Sequence, residues 1–208
     1  MINNFKKIRG LLKFDKPNDY YLVEVVKRRR DNPRLPVESM LIKEILIYSL
    51  KDFDDNRDEI LCACEVVRAR AYIWLNVRNA EITGFHCMKR LSCLLMEKNF
   101  IAISGLFRKV SEEIHFDSEP KYLIDIGDDC DLDKIELTVR SSWPEETRDT
   151  NLLELIKTPN GFHVIANAFD TKKFREAFPQ VQVFTDKPTV LYAPISSALA
   201  AVSEKRTC

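Results

Sequence analysis

Two stretches of this sequence carry side chains suited to phosphate or metal-ion chemistry: the carboxylates of "YLIDIGDDCD" (122–131) and the imidazole of "TPNGFH" (158–163). The first is an apolar run that ends in Asp125, Asp128, Asp129 and Asp131. Their hard oxygen donors suit Mg²⁺ or Mn²⁺, ions that neutralise charge at phosphoryl oxygens. The second stretch places His163 just after a turn, where an imidazole can donate a hydrogen bond to a phosphate or carry a proton near neutral pH. Thirty-eight positions separate Asp125 from His163, so only the fold can bring them together.

The elements around them read as follows. An apolar strand over 122–126 precedes a helix over 131–141, "DLDKIELTVRS". After the loop "SWPEETRDT" come a strand over 152–157, the turn Thr158-Pro159-Asn160-Gly161 and a strand over 162–166. Pro at the second turn position and Gly at the fourth fit a type I turn, which predicts a hairpin. A helix over 170–178 has Thr171 as its expected N-cap, and "VQVF" (181–184) and "TVLYA" (189–193) close the unit. The order is β-α-β-β-α-β, the ferredoxin-like or RNA-recognition pattern.

In such a sheet the first and third strands are central neighbours. Asp125 and His163 are thus predicted to lie side by side, both on the face that the two helices leave open.

The first half alternates strand and helix signals. "YYLVEVVKRRR" (20–30) reads as a strand ending in a basic cluster, and "MLIKEILIYSL" (40–50) as a strand long enough to be a helix. One helix is expected in "DDNRDEILCACEVVRARA", which starts in carboxylates. "AYIWLNV" (71–77) alternates like a strand. The helix expected over 80–100 gathers Ile82, Phe85, Met88, Leu91, Cys93, Leu95 and Met96 on about one face, with Gly84 as a weak point.

The 208-residue chain is 45% hydrophobic and 31% charged, which excludes extended disorder. No apolar run is long enough for a membrane helix, and the N-terminus lacks a secretory pattern, so no membrane partner and a cytoplasmic location are expected. The six cysteines fall mostly in apolar segments, which predicts reduced thiols rather than a zinc centre. Net charge is zero but uneven: residues 1–34 hold ten Lys/Arg against four Asp/Glu, and residues 111–136 hold two against ten. Such runs are read as solvated faces, with "KRRR" (27–30) equally suited to nucleic-acid phosphates.

"LIDIGDD" (123–129), "KTPNGFHVI" (157–165) and "VQVFTDKPTVLYAP" (181–194), in this order and on these strands, resemble the motif set of the archaeo-eukaryotic primases and primase-polymerases. "ARAYIWLNVRN" (69–79) resembles the strand that precedes their catalytic module, so the likeness covers residues 69–194. The resemblance implies an α/β (α+β) protein: an N-terminal α/β lobe over 1–110 packed on an RRM-like lobe over 111–200, with 201–208 as a tail.

It also implies a nucleotidyltransferase that binds a nucleoside triphosphate and a DNA or RNA template through Mg²⁺ or Mn²⁺. Asp125 and His163 would be catalytic, Asp125 and Asp128 would hold metal, and His163, Lys157, Arg78 and Asn76 would contact nucleotide or phosphate. Two positions depart from the pattern. Gly127 stands where the first motif has its second Asp, and Gln182 where the third motif has its acid. Asp128, Asp129 or Asp131, or Asp186 from the last loop, would have to substitute. Two readings therefore stay open: an active nucleotidyltransferase, and a catalytically degenerate relative that keeps the sheet as a nucleotide-, nucleic-acid- or protein-binding module.

Overall fold

Residues 1–113, 120–128, 130–145 and 152–194 are described by a computed structural model. Asp129, His115 and the 201–208 tail lie outside the described residues.

The chain begins with β1 (Ile2–Asn3) and a short helix, α1 (Phe5–Arg9), that buries Phe5 and Ile8. Then β2 (Asp19–Arg28) pairs antiparallel with β3 (Ser39–Ile47), which settles the 40–50 segment as a strand. Its isoleucines at 42, 45 and 47 suit a pleated surface. In place of the single expected helix there are two, α2 (Leu50–Asp55) and α3 (Arg57–Val67). They meet at Asn56, whose side-chain amide turns back to the Asp52 carbonyl.

After β4 (Arg70–Ile73) and the two-residue β5 (Arg78–Asn79) come α4 (Ala80–Met96), a 3₁₀ turn (Phe100–Ile103) and α5 (Leu106–Glu113). The strand expected over 71–77 ends at Ile73 because Asn76 leaves the sheet to bond elsewhere.

The second half follows its expected order: β6 (Tyr122–Gly127), α6 (Leu132–Ser141), β7 (Leu153–Thr158), β8 (Gly161–Ala166), α7 (Thr171–Ala177) and β9 (Gln182–Phe184). Asp170, not Thr171, caps α7: its carboxylate accepts from the amides of Lys172 and Lys173. These four strands form one antiparallel sheet in the order β7-β8-β6-β9, the arrangement of a ferredoxin-like unit. The last strand, β10 (Thr189–Ala193), does not complete that sheet. It crosses into the first one, whose order is β1-β10-β4-β2-β3 with β5 on β2. The protein is therefore mixed α+β, built on two antiparallel sheets.

One face of the second sheet carries Ile124, Ile126, Val164 and Ala166 beneath Ile135 and Val139 of α6 and Phe174 of α7. The opposite face was expected to be open, and it is not. Leu123, Ile156 and Ile165 join Val23, Val25, Ala71, Ile73 and Leu191 of the first sheet, together with Phe5, Ile8 and Phe53, in a shared core. The apolar residues beside Asp125 and His163 are what draw the first sheet over them, since burying each such side chain contributes about 1.5–3 kcal/mol. Asn4 stitches this junction from the side, its buried amide donating to Lys157 O at 2.9 Å and Val190 O at 2.8 Å.

The helix expected over 80–100 is α4. Its packed side is Thr83, Cys87, Leu91 and Leu94, set against Leu106 and Val110 of α5. The apolar face expected for this helix is exposed at Ile82, Phe85, Met88, Leu95 and Met96.

The hairpin turn brings the backbones of β8 and β6 close together. Thr158 pairs with Gly161, and neither Pro159 nor Asn160 has positive φ, in agreement with a type I turn. Gly161 sits at φ 139°, and a Cβ there would overlap the Ile126 carbonyl oxygen. Gly161→Ala is expected to destabilise the protein by about 3 kcal/mol or more. Gly84→Ala, on α4 where a Cβ meets nothing within 4 Å, is expected to stabilise it by roughly 0.5–1 kcal/mol. Urea unfolding of the two variants measures both.

Candidate functional site

Six antiparallel register pairs join β6 and β8, and one of them is Asp125 with His163. The side-by-side expectation holds: the His163 Nε2 lies 3.6 Å from the Asp125 Oδ1. The alternation of both strands puts the two groups on the face turned toward the first sheet. They occupy it differently. Asp125 is 43% exposed at its side chain, whereas His163 is 10% exposed and lies at the sheet junction.

Burial fixes the imidazole. Its Nδ1 lies 2.8 Å from the hydroxyl of Thr189, a fully buried residue on β10. Across β8, the neighbour of His163 on β7 is the fully buried Ile156. Desolvation pushes the His163 pKa down to about 4; Asp125 acts in the opposite direction, and Lys187 adds to the lowering. The ring is therefore neutral at pH 7. The carboxylate beside Nε2 favours the tautomer with its proton there, with Nδ1 accepting from Thr189.

The third group at the site is Lys187. Its ammonium lies 3.9 Å from Asp125 Oδ2 and 3.7 Å from the ring centre of Phe184. Neither Lys187 nor Thr189 had been singled out from the sequence. Both belong to "TDKPT" (185–189), the crossing from β9 to β10, and only the switch between sheets turns that segment toward Asp125.

Asn76 and Arg78 hold this crossing. The Asn76 amide donates to Thr185 O at 2.5 Å, and its carbonyl accepts the Lys121 amide at 2.7 Å. Arg78 is fully buried. Its guanidinium reaches Asp186 at 3.1 Å, Ser111 O at 2.6 Å and Asn76 O at 2.8 Å, and lies over the Trp74 ring. Desolvation lowers the Arg78 pKa and Asp186 opposes that shift, as expected for a buried ion pair. These two residues, which the resemblance assigns to nucleotide contact, therefore position the loop that carries Lys187.

Three other residues of the expected set lie away from Asp125. Asp186 is turned to Arg78 and does not join Asp125. Lys157 shares a register pair with Phe162, one step from the pair of Ile156 with His163, so it lies on the opposite face of the sheet. Its ammonium stands 5.3 Å from the Phe162 ring centre. Asp131 caps α6 by accepting the Lys134 amide. Asp128 is exposed in the turn after β6, and Gln182 is the β9 partner of Asp125. Among the described residues no group of three or more His, Cys, Asp or Glu side chains is arranged to hold a metal ion, and no helix is long and apolar enough to cross a membrane. The arrangement is one carboxylate held between an ammonium and a neutral imidazole at the rim of the sheet junction.

No protein family, curated protein or solved structure matches the chain significantly.

Two measurements follow from this geometry. An unfolded imidazole takes its proton near pH 6.5 and the folded one near 4, so the native state binds fewer protons between those values. The stability tied to neutral His163 is complete above pH 6.5 and is lost as pH falls toward 4, a change on the order of 3 kcal/mol. Urea unfolding across that range should show the loss, and His163→Gln should remove this share of it. Separately, Asp186→Asn leaves the buried Arg78 charge poorly compensated and should cost about 3 kcal/mol of unfolding free energy.

Proposed function

We propose that the junction site binds the phosphate groups of a nucleotide or nucleic acid, with Lys187 and the Nε2 proton of neutral His163 as the contacts, and that this binding is independent of divalent metal. The observation that carries the reading is the ion pair of Lys187 with the site's single strand-borne carboxylate, Asp125. A Mg²⁺ or Mn²⁺ site needs several oxygen ligands in near-octahedral array. Here the position two residues on is Gly127, the cross-strand position is Gln182, and Asp186 is committed to Arg78. Among the described residues the oxygen donors beside Asp125 are few for a divalent ion, and Lys187 supplies a positive charge there instead.

The resemblance to primase-polymerases supports phosphate as the ligand class. The departures at Gly127 and Gln182 support the degenerate, binding-only form over nucleotidyl transfer. Asp125 then serves to orient the two donors, and a neutral imidazole can donate without first being protonated, so the contact persists above pH 7.

Titration of a fluorescent nucleoside triphosphate, and of short single-stranded DNA and RNA, tests this. Binding is expected to survive EDTA. Lys187→Ala should weaken it by about tenfold or more, the loss of one charge-assisted hydrogen bond. Lys157→Ala, on the other face, should leave it unchanged. Absence of binding would overturn the reading. So would binding or template extension that appears only with Mn²⁺, a result that would restore the nucleotidyltransferase.

A further inference from the structure

The helices α1, α2, α3, α6 and α7 each place side chains in a core that also holds sheet residues. The pair α4–α5 is fastened differently. Its apolar cluster, Leu106 and Val110 with Cys87, Leu91 and Leu94, lies between the two helices and is separate from the core the sheets share. Polar contacts tie the pair to the first sheet. The Tyr20 hydroxyl lies 2.8 Å from Ser111 Oγ and 3.1 Å from Thr83 Oγ1, with its ring 6.1 Å from that of Phe107. Arg78 Nε donates to Ser111 O at 2.6 Å. Arg108 of α5 enters a group of carboxylates: its Nε stands 3.1 Å from Glu24 Oε1, 3.5 Å from Glu44 Oε1 and 2.9 Å from Glu112 Oε1.

Three carboxylates thus share one guanidinium. Glu24 of β2 and Glu44 of β3 are direct register partners, an arrangement in which like charges repel. Glu24 is 6% exposed at its side chain. Trp74 Nε1 donates to its Oε2 at 3.1 Å, while its Oε1 accepts no hydrogen bond among the described residues. Glu44 is the member that meets water, 35% exposed at its side chain. We propose that this group is a pH-sensitive clasp: α4–α5 opens from the first sheet as a local unit, and a proton taken up by Glu44 closes it. The charged groups facing Glu44 are Arg108 and Glu112 from α5 and Glu24 from β2, so its proton relieves two repulsions and gives up one attraction. Burial is the main cause that raises the Glu44 pKa; Arg108 opposes it, and Glu24 and Glu112 add to the rise. An acid with a higher pKa docked than undocked binds more protons docked. Docking therefore tightens as pH falls through the docked value, and gains nothing further below the ordinary value of 4.5. Helices outside the main core belong to the readily opened part of a fold. Opening would also withdraw Ser111 O from Arg78, but the clasp does not depend on the phosphate-binding reading.

Hydrogen exchange of the whole chain at pH 7 and pH 5, expressed as protection factors to remove the intrinsic effect of pH, tests the proposal. Amides of α4 and α5 are expected to exchange through a shared opening short of global unfolding and to be better protected at pH 5. Amides of β8, beside His163, should lose protection over the same interval, so the two trends have opposite signs. Glu44→Gln keeps the shape and removes the charge; it should raise α5 protection at pH 7 by roughly two- to fivefold and abolish the gain at pH 5. Glu59→Gln removes a carboxylate paired with Lys43 instead and should leave α5 as it was. Circular dichroism confirms that each variant is folded, and Glu112→Gln, expected to act in the same direction, replaces Glu44→Gln if that variant is not. Exchange of α4 and α5 only through global unfolding, protection that falls with that of β8 at pH 5, or indifference to the carboxylate substitution overturns the proposal.

Discussion

The hydrogen bond between His163 and Thr189 joins the two sheets beside the site, with both partners buried. His163 belongs to the ferredoxin-like sheet and Thr189 to the other, and the chain travels from one to the other in the four residues between β9 and β10. With both residues withdrawn from water, an unmade bond would leave two desolvated polar groups, each costing about 1–3 kcal/mol. Burial at this junction keeps the ring neutral, and the bond to Thr189 sets the direction of Nε2.

The polar groups beyond it are arranged in layers. Arg78 and Asn76 are buried and hold the β9–β10 crossing, the crossing presents Lys187, and Lys187 with Asp125 forms the exposed rim. Charge rises in exposure from the inside outward: a fully buried guanidinium whose partner Asp186 is nearly buried, then a half-exposed ammonium facing a half-exposed carboxylate. Only the outer pair is free of a heavy desolvation cost for meeting a charged ligand. The same layering makes the site sensitive to substitutions at Arg78 and Asp186, which do not border it.

Much of the second half was legible from residue order alone. Periodicity and the Thr-Pro-Asn-Gly turn located β6, β7, β8 and the two helices, and strand parity then paired Asp125 with His163. What parity could not supply was the covering of that face, because it depends on how Leu123, Ile156 and Ile165 meet first-sheet residues far away in the sequence, Val23 to Ile73 and Leu191. The destination of β10 was hidden for the same reason: a short apolar strand fits either sheet. Lys157 was misplaced by its closeness to His163 in sequence, although adjacent hairpin positions face opposite ways. On α4 the apolar pattern was read correctly as a helix face, but patterning cannot tell a face turned to the core from one turned outward.

The central claim is that His163 is a buried, neutral imidazole with its proton on Nε2 and its Nδ1 bound by Thr189. Nitrogen-15 NMR of the histidine rings at pH 7 and pH 5.5 measures this most directly. The account predicts one histidine fixed as the Nε2–H tautomer and unchanged between the two values, and a loss of that signature in Thr189→Val. A His163 ring that gains its second proton near pH 6.5, or that exchanges freely between tautomers, would contradict it.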